Sequence, residues 1–394
     1  MARNESYKSH NMLKNHGILT IDLDAVVHNY NVLKAQAFPR VRTAAAVKAN
    51  GYGLGAVEVS RALAGAGCAD FFVASVEEGI AVRQALKSVR IFILNGFYNS
   101  AADSYVEYNL IPMLGSFLEI ENYKKLSAKH GKKLDAFLSF NTRLNRLGLG
   151  SVETEKLMAD LSMLNGINVE GIMSHFACAD EKDHPMNETQ FKIFDDIAKH
   201  FPNAEKTLAN SSAIFRDKKY HYDLLRPGMA LYGLNPTPEV KNPMRAVVSL
   251  NVPVIRVRLI YKGASVGYGA TWTADKDTPL ATVSAGYADG IPRHLSNKGA
   301  LYWKGYRCPI RGRVSMDLTT VDLSAIPENE RPRPGDSMEL LGQHQSADEL
   351  ANDAGTIGYE ILTSLGHRYG RQYIGDQADI IRISGGKLES RKGA

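Results

Sequence analysis

The segment AAAVKANGYGLGA, residues 44–56, ends an apolar run in a single lysine, and three glycines and a tyrosine follow. A strand-end amine most often caps the strand toward water. Held out of water, the same amine is a nucleophile that forms an imine with a carbonyl. Gly51, Gly53 and Gly55 allow a tight turn after Lys48 under either reading. Four more stretches carry groups that suit the second. Arg146 lies in NRLGLG, His175 in GIMSHF, Asn210, Ser211 and Ser212 in LANSSAI, and Arg226, Gly228 and Met229 in RPGMA. Guanidinium, imidazole, hydroxyl and backbone N–H groups are the donors that hold an anion such as phosphate. Singly, these residues have plainer uses. A glycine after a strand makes a turn, and a strand-end histidine is commonly hydrogen-bonded in a core.

The elements that carry them decide whether they converge. Short apolar, β-rich runs occur at 43–48, 71–74, 91–94, 110–114, 134–141, 169–175, 206–210 and 222–226. Between them lie stretches such as AVEVSRALAGAG and SFLEIENYKKLSAKH, with apolar residues every three or four positions. SVEE and NETQ open two of these with capping-type residues. Eight strands alternating with helices predict a (β/α)8 barrel of the TIM type, with an open doubly wound sheet as the competing architecture. In a barrel, sites lie at the C-terminal ends of the strands, and phosphate favours the loops after strands seven and eight. Lys48 would end strand one, with Tyr52 in its loop. Arg146 would follow strand five, His175 would end strand six, Asn210–Ser212 would follow strand seven, and Arg226–Met229 strand eight. An amine beside a phosphate cup on one rim predicts pyridoxal phosphate held through Lys48.

Near residue 245 the texture changes to strands separated by Gly, Pro and Asp turns, with one helical stretch, SADELANDAGTIGYEILTSLG. This predicts a mainly β domain over 245–388 after a barrel domain over 17–244. The strand and helix of TIDLDAVVHNYNVLKAQ would precede the barrel, with flexible tails at 1–16 and 389–394. The chain has 394 residues, a net charge of +5 spread along its length, and three cysteines without metal or disulfide spacing. No metal, nucleic-acid or membrane partner is expected. The polar N-terminus lacks a signal-peptide pattern, so the expected location is the cytoplasm.

With these motifs in place, the chain resembles the pyridoxal-phosphate-dependent alanine racemases of the barrel type. The resemblance rests on AVKANGYGLGA, NRLGLG, GIMSHFACAD, LANSSAI, RPGMALYGLNP, VGYGATW, SAGYADGIPR, GRVSMDLTTVD and TIGYEILTSLGHRY, in the family's order. It implies an isomerase that interconverts L- and D-alanine by a two-base mechanism and supplies D-alanine for peptidoglycan. Lys48 would hold the cofactor as an aldimine and serve one face of the substrate. Tyr268, delivered from the partner subunit of a homodimer, would serve the other. Tyr52, Ser211, Gly228, Met229 and Tyr359 would bind the phosphate, and Arg226 would face the pyridine nitrogen. His175 would link Arg226 to Tyr268. Arg146 would contact the cofactor oxygen and the substrate carboxylate, and Tyr287, Met316 and Asp317 would line the substrate side. By spacing alone, Tyr268 is a tyrosine in a β turn, and Tyr287 and Asp317 are edge and turn residues.

Four places depart from the family's pattern. Ser139 stands where many relatives carry a lysine, often carbamylated, and Asn141, Thr142 and Arg143 replace an Asp-Thr-Gly. Leu54 and Thr207 each replace a histidine. Neither Ser139 nor Asn141 can carry a negative charge to orient Arg146, so neutral hydrogen bonds or a bound anion such as chloride would do so. The alternatives to an alanine racemase are a broader racemase for serine or basic amino acids and a non-catalytic pyridoxal-phosphate carrier. The carriers lack a second domain.

Overall fold

The computed structural model describes residues 16–376, together with the short strands Ile383–Ser384 and Lys387–Leu388. Apart from His16, the tails expected at 1–16 and 389–394 lie outside the described residues. The chain forms two compact units. Among the described residues, one is Leu23–Arg245, and the other is Ala246–Gly375 together with residues 16–22.

The first unit is a closed parallel barrel. Its first strand is interrupted at Ala44 and runs as Arg42–Thr43 and Ala45–Ala46. The next six are Asp70–Val73, Arg90–Ile93, Leu110–Leu114, Leu134–Ser139, Ile167–Met173 and Glu205–Thr207, which pair in chain order with Ala45–Ala46 as one seven-stranded sheet. The eighth, Leu224–Leu225, pairs in parallel with Arg42–Thr43 and closes the ring. Asp223 N–H to Lys206 O at 3.1 Å and Arg226 N–H to Ala209 O at 3.0 Å join it to the seventh. All eight expected strands are present. Asp70–Val73 and Leu110–Leu114 are buried along their whole length, which is why they read as continuous apolar runs. Phe72, Phe92 and Phe137 fill the interior, with ring centroids 4.5 and 5.0 Å apart. Gly171 makes room for them, because a Cβ there would sit 2.2 Å from the Phe137 ring.

The helices between strands begin largely where the capping residues place them. Ser75 and Ser116 accept the N–H groups of Glu78 and Glu119. NETQ does not open its helix. That helix is Pro185–Ala198, with His184 Nδ1 accepting the Met186 N–H at 3.1 Å. Proline at the first position replaces an N–H that has no helical partner. Asn187 is instead buried, and its amide donates to Glu181 O.

The second unit is the expected mainly β domain, built on Val248–Ile260. This strand pairs with Ile18–Asp22 and Ser337–Leu341 along its first half and with Thr278–Val283 along its second, with a register shift between Val254 and Arg256. Here the expected boundary at residue 17 needs correction. Ile18–Asp22 belongs to the β unit's sheet, between Val248–Ile260 and Gly370–Ile374. Its alternation of buried Leu19 and Ile21 with part-exposed neighbours is that of a one-sided sheet and differs from the barrel strands. The helical stretch near 347–364 forms Ala347–Ala354 and Gly358–Ser364, broken where Gly355 takes φ +71°. No helix among the described residues is long and apolar enough to cross a membrane.

Candidate active site

Lys48 leaves the end of the first barrel strand and enters an unusual turn. Five consecutive residues, Ala49 to Gly53, have positive φ of 52, 53, 62, 54 and 83°. This is a left-handed helical turn, which costs roughly 1–2 kcal/mol for each residue bearing a Cβ. Local contacts hold it. Ala49 N–H donates to Glu78 Oε1 at 2.6 Å, and Ala74 N–H donates to Glu78 Oε2 at 2.8 Å, so one carboxylate ties the turn to the second strand. Asn50 Oδ1 accepts the Ala56 N–H at 3.0 Å, and the Tyr52 ring stacks on Tyr232 at 4.5 Å. Strain stored beside a reactive side chain is a recurring feature of functional sites. Burial, and then the neighbouring Arg146 cation, push the Lys48 amine below the ordinary lysine range, while Glu78 opposes them.

Arg226 is buried at the end of the eighth strand, and every partner it has is neutral. Nη1 donates to Thr207 Oγ1 at 2.6 Å, and Nη2 donates to Ser174 O at 2.6 Å and lies 3.4 Å from His175 Nδ1. Thr207 Oγ1 passes its own proton to Leu224 O at 2.6 Å. Burial alone pushes the guanidinium down to about 9, which leaves it a cation at neutral pH. Its Nε–H has no protein acceptor among the described residues. Burial pushes His175 down to about 3, with Arg226, Arg146 and Lys48 adding repulsion, so its imidazole is neutral. The neutral His175 Nδ1 lies 3.4 Å from Arg226 Nη2, which is the Arg226 side of the expected link from Arg226 through His175 to Tyr268.

The Ser211 and Tyr52 hydroxyls meet at Gly228 on the same rim. Ser211 Oγ accepts the N–H of Gly228 at 2.9 Å and of Ala230 at 3.3 Å. A Cβ on Gly228 would lie 2.3 Å from Tyr52 Oη, so only glycine lets the backbone approach that hydroxyl. Met229 follows in the buried turn Met229–Tyr232. Asn210 takes a different part, since its Oδ1 caps Ala213 N–H at 3.0 Å. A desolvated amine, a hydroxyl-lined cup and a buried cation with an unclaimed Nε–H together fit the aldehyde, phosphate and ring nitrogen of pyridoxal phosphate.

The remaining expected residues stand in the β unit. Tyr268 heads a short turn over the Arg313 side chain and is 72% exposed. Tyr287 and Met316 are exposed neighbours, because Tyr287 N–H donates to Ser315 O and Ala288 N–H to Met316 O. Asp317 is held by Arg368 Nη1 at 2.8 Å, and Arg368 Nε also donates to buried Asp289 at 2.6 Å. Tyr359 lies in the helix Gly358–Ser364. Sequence reasoning missed Glu78, Asp289 and Arg368. SVEE showed Glu78 only as a capping partner, and the other two carry no local signal. In the departing segment, Asn141 Oδ1 accepts the N–H of Arg143 and Asn145, and its amide donates to Asn145 Oδ1 at 2.8 Å. Thr142 instead turns inward to Ser174 Oγ at 2.7 Å.

A closed barrel with a desolvated strand-end lysine, followed by a β domain, defines a two-domain class of barrel proteins. The alanine racemase N-terminal domain family matches residues 21–236, and the alanine racemase C-terminal domain family matches 247–373. The chain belongs to the alanine racemase family. It is 46% identical over 359 residues to a catabolic alanine racemase of Agrobacterium fabrum, covering 91% of this chain and 92% of that protein. It is 45% identical to an alanine racemase of Rhodospirillum rubrum, covering 91% and 96%. Among solved structures, alanine racemase from Bartonella henselae with covalently bound pyridoxal phosphate superposes with a TM-score of 0.87 at 39% identity, over 91% of this chain and 99% of that one. With both domain families matched, the carrier reading falls away.

Proposed function

We propose that this protein is an alanine racemase that interconverts L- and D-alanine with pyridoxal phosphate carried on Lys48. The observation that supports this most directly is the desolvated Lys48 amine on the same rim as the Ser211–Gly228 cup and the unclaimed Arg226 donor. When bound, pyridoxal phosphate supplies an electron sink that acidifies the Cα–H of an amino acid joined to it. The chain's residues do the rest. Ser211, Tyr52, Tyr359 and the N–H groups of Gly228 and Met229 bind the phosphate, the Gly228 N–H leaving Ser211 Oγ to do so. Arg226 donates to the ring nitrogen and stays a cation at neutral pH, so that nitrogen is left unprotonated. Arg146 holds the substrate carboxylate, positioned by the neutral Asn141 segment or by a bound anion such as chloride. Tyr287, Met316 and Asp317 shape the substrate side.

Racemisation removes a proton from one face of Cα and returns one to the other, which calls for a base on each side. Lys48 Nζ serves one face. The Tyr268 phenol, delivered by a second copy of the chain in a homodimer, serves the opposite face. The two enantiomers have equal free energy in an achiral medium, so the reaction that consumes the product sets the direction of flux. We read the physiological output as D-alanine for peptidoglycan, made in the cytoplasm.

Deuterium exchange at Cα tests the assignment. Tyr268→Phe is expected to keep exchange from the enantiomer whose proton faces Lys48, which is D-alanine in this reading. Exchange from L-alanine should fall about 100-fold, the scale of one general base. Equal losses for both enantiomers would mean that a single group serves both faces.

A further inference from the structure

The loop after the sixth barrel strand holds side chains that the proposed function leaves unused. Cys178 Sγ, a Glu181 carboxylate oxygen and a His184 ring nitrogen all lie within 4.8 Å of one another. The backbone accounts for their convergence. Glu181 N–H donates to Cys178 O at 3.0 Å and His184 N–H to Glu181 O at 3.2 Å, two i→i+3 turns in succession. Side chains three apart eclipse in such turns, so all three project to one side. The loop is pinned from outside. Arg216 donates to Ala179 O and Asp180 O, both at 2.7 Å, and Asn187 donates to Glu181 O at 2.9 Å.

We propose that Cys178, Glu181 and His184 bind one divalent ion of the zinc class, with water as the fourth ligand. A sulfur, nitrogen and oxygen donor set selects zinc or a neighbouring transition metal over magnesium or calcium. Tetrahedral zinc takes bonds of about 2.0–2.3 Å, so the three donors close together by small side-chain rotations when it binds. Cys178 enters as a free thiol. As the zinc–sulfur bond forms, the thiol proton leaves to solvent. His184 Nδ1 accepts the Met186 N–H. The metal therefore either takes that lone pair or binds Nε2 after the ring proton moves to Nδ1, and in both cases it competes with the helix cap.

The test uses the purified full chain, stripped of metal with a chelator and titrated with Zn2+ by calorimetry. Alkylation of Cys178 by iodoacetamide is followed in parallel by peptide mass spectrometry. One zinc per chain is expected, together with at least about tenfold slower alkylation of Cys178 in Zn2+ but not in Mg2+. Cys178→Ser and His184→Asn should each weaken zinc binding about tenfold or more, and the asparagine keeps an oxygen that can cap Met186. Unchanged alkylation in Zn2+, or wild-type zinc affinity in both variants, would remove the site. Neither readout depends on racemase activity.

Discussion

At the residue scale, the chemistry turns on how a few charged groups are left without counter-charges. Lys48 is pressed by burial and by Arg146, and only Glu78 pulls the other way. A neighbouring cation disfavours a charged amine, so removing it raises the amine's pKa. Removing a neighbouring carboxylate lowers it. The neutral amine captures the cofactor aldehyde, so the rate of capture by cofactor-free protein should rise with pH toward a midpoint below that of free lysine. Arg146→Met should move the midpoint up and Glu78→Gln should move it down, read from the visible absorbance of the bound cofactor. Shifts in the same direction, or none, would detach both groups from Lys48. Arg226 shows the complementary case of a buried cation served by neutral acceptors, one of them Thr207 Oγ1. Thr207→Val keeps the shape but strands Arg226 Nη1 and Leu224 O. It should cost about 1–3 kcal/mol in urea unfolding, with Thr207→Ser recovering most of the loss.

At the element scale, the left-handed turn answers why glycines follow Lys48. Gly51 has φ +62°, and a Cβ there would meet the Ala56 backbone at 3.1 and 3.2 Å. Gly51→Ala is expected to destabilise the chain by about 1–2 kcal/mol and to loosen cofactor retention as the turn shifts Lys48. Unchanged stability and retention would show that the turn relaxes freely. The glycines and the lysine were legible in the sequence, but the turn's handedness was not, because it is held by Glu78 reaching back from the helix Val76–Ala85, beyond the second strand. Barrel strands such as Asp70–Val73 and Leu110–Leu114 were legible for a simpler reason, since burial along their length leaves an apolar run. Ile18–Asp22 was expected with the barrel, because ILTID shows no clear alternation in its residue types and only its burial and partners reveal a one-sided sheet strand. The helix Ala102–Glu107 escaped notice because six residues are too few to show a helical period. The convergence of Arg226, Thr207, Ser174 and His175 was legible only as strand-end placement. The hydrogen bonds among them come from neighbouring strands brought into register by the closed ring.

At the scale of the whole molecule, the proposed second base sits on an exposed turn of the β unit. An exposed phenol is a poor base for its own sake and becomes useful when another surface encloses it. A twofold dimer does this twice over, because each copy gives and receives the same patch. Mixing two inactive variants tests the arrangement quantitatively. Let Lys48→Ala and Tyr268→Phe homodimers exchange subunits fully in equal amounts. About half of the dimers are then mixed. Each mixed dimer has one site with both lesions and one with an intact lysine from one chain and an intact phenol from the other. About a quarter of all sites should therefore be whole, and racemase activity should recover to roughly that fraction of wild type. If Tyr268 instead served the barrel of its own chain, every site in every dimer would carry a lesion. Activity would then stay at the level of the unmixed variants, even where mass spectrometry of the mixture shows that subunits have exchanged.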